Sequence, residues 1–331
     1  MLLSELLLIG ALFGAAAPGG LQASSDTLQP PGEGPGPTEV SLAFYVVDIL
    51  EIEDAEETFK ADIAYNLRWH DPRLARPGGD TVQRPMSEVW NPRVTVVNQA
   101  GIKNAWPDVV EVDAEGNVFY RQRLLGHFSS SFELRDFPGD VQDLRVDFAT
   151  VGYGPDEVML VADTARSGLL EGAGVAGWEL ELGEGEAMTA RVPGQSEALA
   201  MLGWHLYAAR NANYYRIKIF LTVALIVFMA WTVFWIDPTQ AGPQIGVSTA
   251  SVFSLIAYGF SLSRELPRVS YLTRADHLML GSTLLVFGAL AEAVWTARLA
   301  AKDRLDEAQR IDRVFRIVYP IVFAGLLLTY G

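Results

Sequence analysis

From Pro238 to Ser263 the chain runs for 26 residues without a charge. About twenty uncharged residues cross a bilayer as a helix, so this run ties the chain to a membrane. Its composition is unlike that of a lipid-facing span. Ser248, Thr249, Ser251, Ser254 and Ser261 lie among Gly246, Ala250, Ala257 and Gly259. Small and hydroxyl residues suit a helix packed among other helices or lining water. The expectation is a helix that lines an ion pore.

Three more apolar segments accompany it. Ile219 to Ile236 holds 18 uncharged residues. His277 to Ala297 is interrupted only by Glu292, and the last segment runs from about Val314 to Tyr330 with Arg316 near its start. An acid inside a membrane helix is a functional candidate. Glu292 lies only six residues from Arg298, about 9 Å along a helix, so an interfacial residue or a local pair with Arg298 is expected. Six basic residues lie between Arg298 and Arg316, against three between Arg264 and Arg274. Loops richer in Lys and Arg stay in the cytoplasm. That puts the 298–316 side inside the cell membrane and the first half of the chain outside it.

That first half is of another kind. Ser24 to Asn213 carries 14 basic and 31 acidic residues, a net of −17, whereas Tyr214 to the end carries 11 and 8, a net of +3. Nucleic-acid binding needs a basic footprint and is excluded as a reading. Met1 to Ala17 is apolar and ends in small residues, so residues 1–23 read as a signal peptide. Residues 24–38 are rich in Pro and Gly and read as a linker. From 39 to 213, β-branched and aromatic runs such as TFKADIAYNLRW and DLRVDFATV alternate with turn clusters such as DFPGD and GYGPD. Short strands at that spacing predict a β-sandwich, with Trp69, Trp90 and Trp178 in its core. Residues 214–331 then form a four-helix bundle, with helices at about 214–236, 241–263, 274–299 and 310–330. There is no cysteine, hence no disulfide and no thiolate metal site. H-E-x-x-H, G-x-S-x-G, P-loop and dinucleotide motifs are all missing, so an enzyme is not expected, nor a cofactor or a metal.

Several motifs in order carry a family resemblance. Trp69-His70-Asp71-Pro72-Arg73-Leu74, Trp90-Asn91-Pro92 with Asn98 after it, Phe137-Pro138-Gly139-Asp140, Arg210-Asn211-Ala212-Asn213-Tyr214-Tyr215 and Leu266-Pro267-Arg268-Val269-Ser270-Tyr271 precede or join the four membrane segments. The chain resembles the pentameric ligand-gated ion channels (the Cys-loop receptor superfamily), in particular prokaryotic members without a cytoplasmic domain. It departs from the pattern at Ala212, where a proline is usual, and at Ser130 and Leu144, where two loop cysteines would fall. The loop must then be held by packing and by the Phe137-Pro138 turn.

The resemblance implies a β + α membrane protein: an extracellular β-sandwich ligand-binding domain, a four-helix transmembrane bundle, and a homopentamer in the cell membrane. Anchored on Leu266-Pro267-Arg268, it places Gly246, Ala250, Phe253, Ala257, Phe260 and Arg264 on the pore face, with Phe253 and Phe260 forming apolar constrictions. Periodicity alone favours another face as the wet one, that of Gln244, Ser248, Ser251, Ser254 and Tyr258. In the family register those hydroxyls mediate helix–helix contacts instead. Gating is carried by Glu53, Asp54, Asp136, Phe137, Pro138, Asp140, Arg210, Pro267 and Arg268, with Asp140 paired to Arg210. Ala64, Val97, Asn98, Val151, Tyr153 and Leu199 match the ligand pocket. Aromatics are few there, which disfavours an amine held in an aromatic box.

The partners implied are other copies of the chain, membrane lipid, permeant monovalent ions, and either a small-molecule agonist or protons. His70, His127 and His205 and the many carboxylates keep protons open. Cation conduction is the reading preferred for the acidic outer domain. Against it stands an inner mouth, Ala241-Gly242-Pro243-Gln244, with no carboxylate nearer than Asp237. The alternatives are an anion-selective channel of the same family and a membrane-anchored sensor without conductance.

Overall fold

The computed structural model describes residues 29–31, 36–191, 198–263 and 269–330. The segment read as a signal peptide, most of the linker, and Arg264, Pro267 and Arg268 lie outside the described residues. The chain divides into two compact units.

The first unit takes the chain up to Glu53, then Glu57–Phe132 and Gln142–Ala208. Its strands, numbered in chain order, are β1 (Thr38–Glu53), β2 (Thr58–His70), β3 (Val82–Pro85), β4 (Val94–Val96), β5 (Gln99–Asn104), β6 (Val109–Val112), β7 (Asn117–Ser129), β8 (Val141–Asp143), β9 (Val146–Thr150), β10 (Val158–Ala162), β11 (Gly168–Leu169), β12 (Trp178–Arg191) and β13 (Ala198–Arg210), the last of which runs on into the second unit. One sheet has the order β10-β1-β2-β7-β6-β3, with β11 on β1 and β5 on β7. The other has the order β12-β13-β9-β4, with β8 on β13.

Strand β2 shows why the sequence folds this way. Phe59, Ala61, Ile63, Leu67 and Trp69 alternate with more polar residues, and the apolar set is buried. A period of two puts one such set on one face of a strand. Strand β7 pairs with β2 antiparallel from Thr58↔Ser129 to His70↔Asn117 without a shift. A one-residue slip would turn every core side chain outward. Strand β9 is buried at all five positions, as befits a strand covered on both faces. Phe44 of β1 stands 6.0 Å from Phe148 of β9 and 5.8 Å from Trp204 of β13, ring centre to ring centre. Tyr65 of β2 meets Phe148 at 5.2 Å. The two sheets therefore face each other through an aromatic core. Trp69 and Trp90 belong to it, edge to face at 5.9 Å. Trp178 does not: it opens β12 and is only half-buried. The first residue of an edge strand has neighbours on one side alone.

The second unit takes residues 54–56, 133–141 and 209–331. Its helices are α1 (Ala212–Trp231), α2 (Ala241–Leu262), α3 (Arg274–Ala300) and α4 (Leu305–Tyr330). Helix α1 starts earlier than the expected 214, because the Asn211 side chain accepts a bond from the Asn213 amide and caps it. A tighter 3-10 turn, Thr232–Trp235, extends its far end. Thr273 and Asp276 form a reciprocal capping box at the start of α3. Helix α4 begins at Leu305 and not near 310. Asp306 and Glu307 favour the positive end of the helix dipole, which hydropathy does not register.

Among the described residues, three helical stretches are long and apolar enough to cross a membrane: Ala212–Trp235, Ala241–Leu262 and Arg274–Ala300. Helix α4 carries Arg310, Asp312, Arg313 and Arg316 in its first half, and its uncharged part begins at Ile317.

Candidate functional site: the face of helix α2 and the Arg210 cluster

Helix α2 contains no charged residue. Gly246, Ala250, Phe253, Ala257 and Phe260 are all exposed on the protomer, the two Phe rings at 66% and 69%. Spacings of 4, 3, 4 and 3 hold them on one stripe. Gln244, Ser248 and Ser251 are fully buried. Their hydroxyls do not bridge helices as expected. Ser248 donates to the Gln244 carbonyl and Ser251 to the Val247 carbonyl, each 2.9 Å away within α2. A serine four residues beyond a free lone pair bonds back to its own helix. What serine contributes here is small size, which lets neighbouring helices approach. Ser254 is exposed and Tyr258 half-buried, so the hydroxyl set is not one uniform face. Gln244 Nε2 donates to the Ile236 carbonyl at 3.0 Å and ties the start of α2 to the preceding turn.

At the other end of the unit the chain gathers charge. The Arg210 side chain is 2% exposed and meets two carboxylates. Its Nε donates to Asp140 Oδ1 at 2.9 Å and its Nη2 to Asp140 Oδ2 at 3.1 Å. Nη1 and Nη2 donate to Asp54 at 2.8 Å each. The Arg210 amide also donates to the Asp140 carbonyl at 3.0 Å. The guanidinium lies 5.1 Å from the Phe137 ring centre and 5.7 Å from that of Tyr215. Burial works against its charge, but the bonds to Asp54 and Asp140 outweigh that and hold it above the ordinary arginine value. A planar fork with five donors suits two carboxylates at once, which lysine cannot match.

The same loop is fastened to the segment before α3. The Tyr271 hydroxyl accepts from the Leu134 amide at 2.9 Å, and the Arg274 amide donates to the Arg135 carbonyl at 3.0 Å. Arg274 Nη2 pairs with Asp136 at 2.8 Å. Arg135 stacks 5.0 Å from the Tyr271 ring centre. The loop, lacking both cysteines, is thus held by an ion-pair cluster on one side and by a tyrosine on the other. Phe137-Pro138 is a cis bond within it. Tyr271 and Arg274 were missed as site residues, although Tyr271 stands inside the Leu-Pro-Arg-Val-Ser-Tyr motif. Glu53 ends β1 opposite Thr58 and makes no ion pair among the described residues.

The residues matched to a ligand pocket are mostly structural within the protomer. Asn98 is buried, and its Nδ2 donates to the carbonyls of Ser129 at 2.8 Å and Arg145 at 2.7 Å. Its Oδ1 accepts the Asp147 amide at 3.0 Å. The Tyr153 hydroxyl accepts from Trp90 Nε1 at 3.0 Å in the interior. Ala64 is buried in β2, and Val97, Val151 and Leu199 are half-buried. None of the six lines the surface hollow formed by Gln83, Trp106, Pro107, Val109, Glu111, Phe119 and Arg121. His205 lies between two carboxylates. Its Nδ1 is 2.7 Å from Asp143 and its Nε2 is 3.6 Å from Glu186. Among the described residues, Glu292 forms no ion pair with Arg298. It is buried beside Asp312 of α4, because helix packing turns it inward while Arg298 faces out.

A β-sandwich unit, followed by a helical unit with three stretches fit to span a bilayer, defines a membrane protein with a folded head outside the lipid. Residues 21–181 match the neurotransmitter-gated ion-channel ligand binding domain, and residues 223–304 match the neurotransmitter-gated ion-channel transmembrane region. The chain is also 25% identical over 307 residues to a protein of Gloeobacter violaceus named a proton-gated ion channel, over 91% of this chain and 85% of that relative. The chain belongs to the family of pentameric ligand-gated ion channels. It is a membrane protein whose strand-built unit lies on the extracellular side.

Proposed function

We propose that five copies of the chain form a channel whose pore is lined by α2, and that ligand or proton binding in the extracellular unit opens it. The observation that carries this reading is the stripe on α2. An uncharged helix that buries Gln244, Ser248 and Ser251 and exposes Gly246, Ala250, Phe253, Ala257 and Phe260 is inverted relative to an ordinary helix in water. Rings of Phe253 and Phe260, seven residues or about 10 Å apart along the axis, make two apolar constrictions that close by dewetting. Arg264, Pro267 and Arg268 complete the pore and its coupling loop in this reading.

Coupling runs through Asp54, Asp136, Phe137, Pro138, Asp140 and Arg210, with Glu53 beside them in sequence and with Tyr271 and Arg274 added. A buried cation bound to two segments at once is a two-state joint: it can hold both or release one. For the trigger, protons are supported by His205, whose two ring nitrogens face the carboxylates of Asp143 and Glu186. The name of the Gloeobacter relative supports the same trigger. A small organic agonist between subunits, at Ala64, Val97, Asn98, Val151, Tyr153 and Leu199, is the second reading.

Monovalent cations are the proposed cargo. Asp237, four residues before α2, is kept below the usual carboxylate range by the Thr239 hydroxyl and amide. Five such charges at the inner mouth attract cations, as does the acidic outer unit. Currents from vesicle-reconstituted protein under acid steps test the whole reading. Acid-evoked, cation-selective current is expected. A pentamer that passes no current under any pH or ligand would leave only a sensor.

A further inference from the structure

Helices α3 and α4 pack on each other, and each brings one acid to the contact. Glu292 of α3 is 3% exposed and Asp312 of α4 is 1% exposed. Glu292 stands eight residues before the end of α3 and Asp312 seven after the start of α4, so both lie roughly 10–12 Å from the turn that joins the helices. Among the described residues, no donor reaches either oxygen of Glu292 or Oδ1 of Asp312. Each acid is the other's side-chain partner across this contact.

Among the described residues, Arg316 attracts the Asp312 carboxylate but pairs with neither acid. Arg316 follows Asp312 by one turn, but its Nε donates to the Phe234 carbonyl at 2.8 Å and its guanidinium lies 4.4 Å from the Trp235 ring centre. Asp237, from the link between α1 and α2, adds a further negative charge near Asp312. Helix α2 carries no charge, and the charges of α1 (Arg216 and Lys218) sit in its first turns, at the opposite end. Arg298 is exposed on α3.

Two carboxylates side by side in a dry contact cannot both stay ionised. Both are acceptors only when ionised, and a bond between two carboxyl groups exists only if one carries a proton. We propose that Glu292 and Asp312 hold one proton between them and act as a proton-operated latch between α3 and α4, through which pH on the inner side acts on the channel. Release breaks one O–H bond, passes the proton to solvent, and leaves two anions facing each other. Their repulsion loosens the contact. The effect on current rests on the channel reading above; the shared proton does not.

Infrared spectroscopy of the full-length protein tests the proton directly. At neutral pH, wild type minus E292Q is expected to show the carbonyl stretch of one protonated carboxyl per subunit, and D312N is expected to remove it as well. An amide donates permanently to the remaining carboxylate, so both variants keep the latch closed. Raising the pH is expected to lower the melting temperature of wild type more than that of either variant. In inside-out patches, inner alkalinisation is expected to shift half-activation of wild type by about fivefold or more, a modest coupling, and to leave E292Q unmoved. A difference spectrum without the acid band overturns the proposal. An acid band with equal inner-pH sensitivity in wild type and E292Q overturns its regulatory half. A normal band in protein that never conducts counts against the channel reading alone.

Discussion

Replacing Arg210 by alanine removes four hydrogen bonds and leaves two carboxylates facing each other, Asp140 1% exposed and Asp54 15%. Losing one partner of a buried ion pair costs about 3–5 kcal/mol, because the remaining charge stays buried and unpaired. The upper part of that range applies, since two acids lose this partner and the Phe137 and Tyr215 rings lose the cation between them. For a protein of this size the loss lowers the melting temperature by roughly 6–7 °C. Arg210→Lys retains the charge but reaches only one carboxylate well, and is expected to fall about halfway. Asp140→Asn is expected to cost more than Asp54→Asn, because Asp140 is the more buried. A double-mutant cycle between Arg210→Ala and Asp140→Asn should show coupling of about 2 kcal/mol or more. The assay is thermal melting of detergent-solubilised protein, paired with half-activation measured in patches. If Arg210→Ala melts within about 1 °C of wild type, less than 1 kcal/mol at this size, and opens normally, the cluster is neither structural support nor a coupling element.

Other expectations follow from single contacts. Asn98→Ala strands two carbonyls and one amide in the sandwich interior and is expected to cost about 3 kcal/mol, near 1 per lost bond, read as a lower denaturation midpoint. Gly281 leaves 2.7 Å between an added Cβ and Leu326 of α4; Gly281→Val is expected to lower the melting temperature, and Leu326→Ala to recover part of the loss. Phe253→Ser wets the inner of the two apolar levels and should raise current without trigger, whereas Ser248→Ala should leave it unchanged. Asp237→Asn is expected to move the reversal potential in a salt gradient toward zero. The carboxyl of Asp237 is held low, so that selectivity persists as pH falls until it passes below the ordinary carboxylate range.

Strands and spans were legible because each follows from a period or a length. The two-residue alternation of β2 and the uncharged length of α2 need no tertiary knowledge. The Asp140–Arg210 pair could be anticipated from motif order. That Asp54 completes it, making one cation serve two acids, could not. Residues 156 apart in the chain carry no local signal of contact. Glu292 shows the same limit: its nearest basic residue in sequence, Arg298, points away, and its true neighbour belongs to another helix. The hydroxyls of α2 misled by chemistry, since a serine that bonds to its own backbone no longer marks a wet face. Helix starts failed at Asn211, where a side-chain cap decided it, and at Leu305, where acids in the first turn did.

The face of α2 that meets the ion path is the claim on which the channel reading stands. The chain has no cysteine, so single cysteines from 244 to 260 can be introduced on a clean background. Thiol reagents applied to the open channel are predicted to block current at positions 246, 250, 253, 257 and 260 and to leave 244, 248 and 251 untouched. Block at 248 and 251 with protection at 250 and 253 would place the serines in the pore and contradict the account.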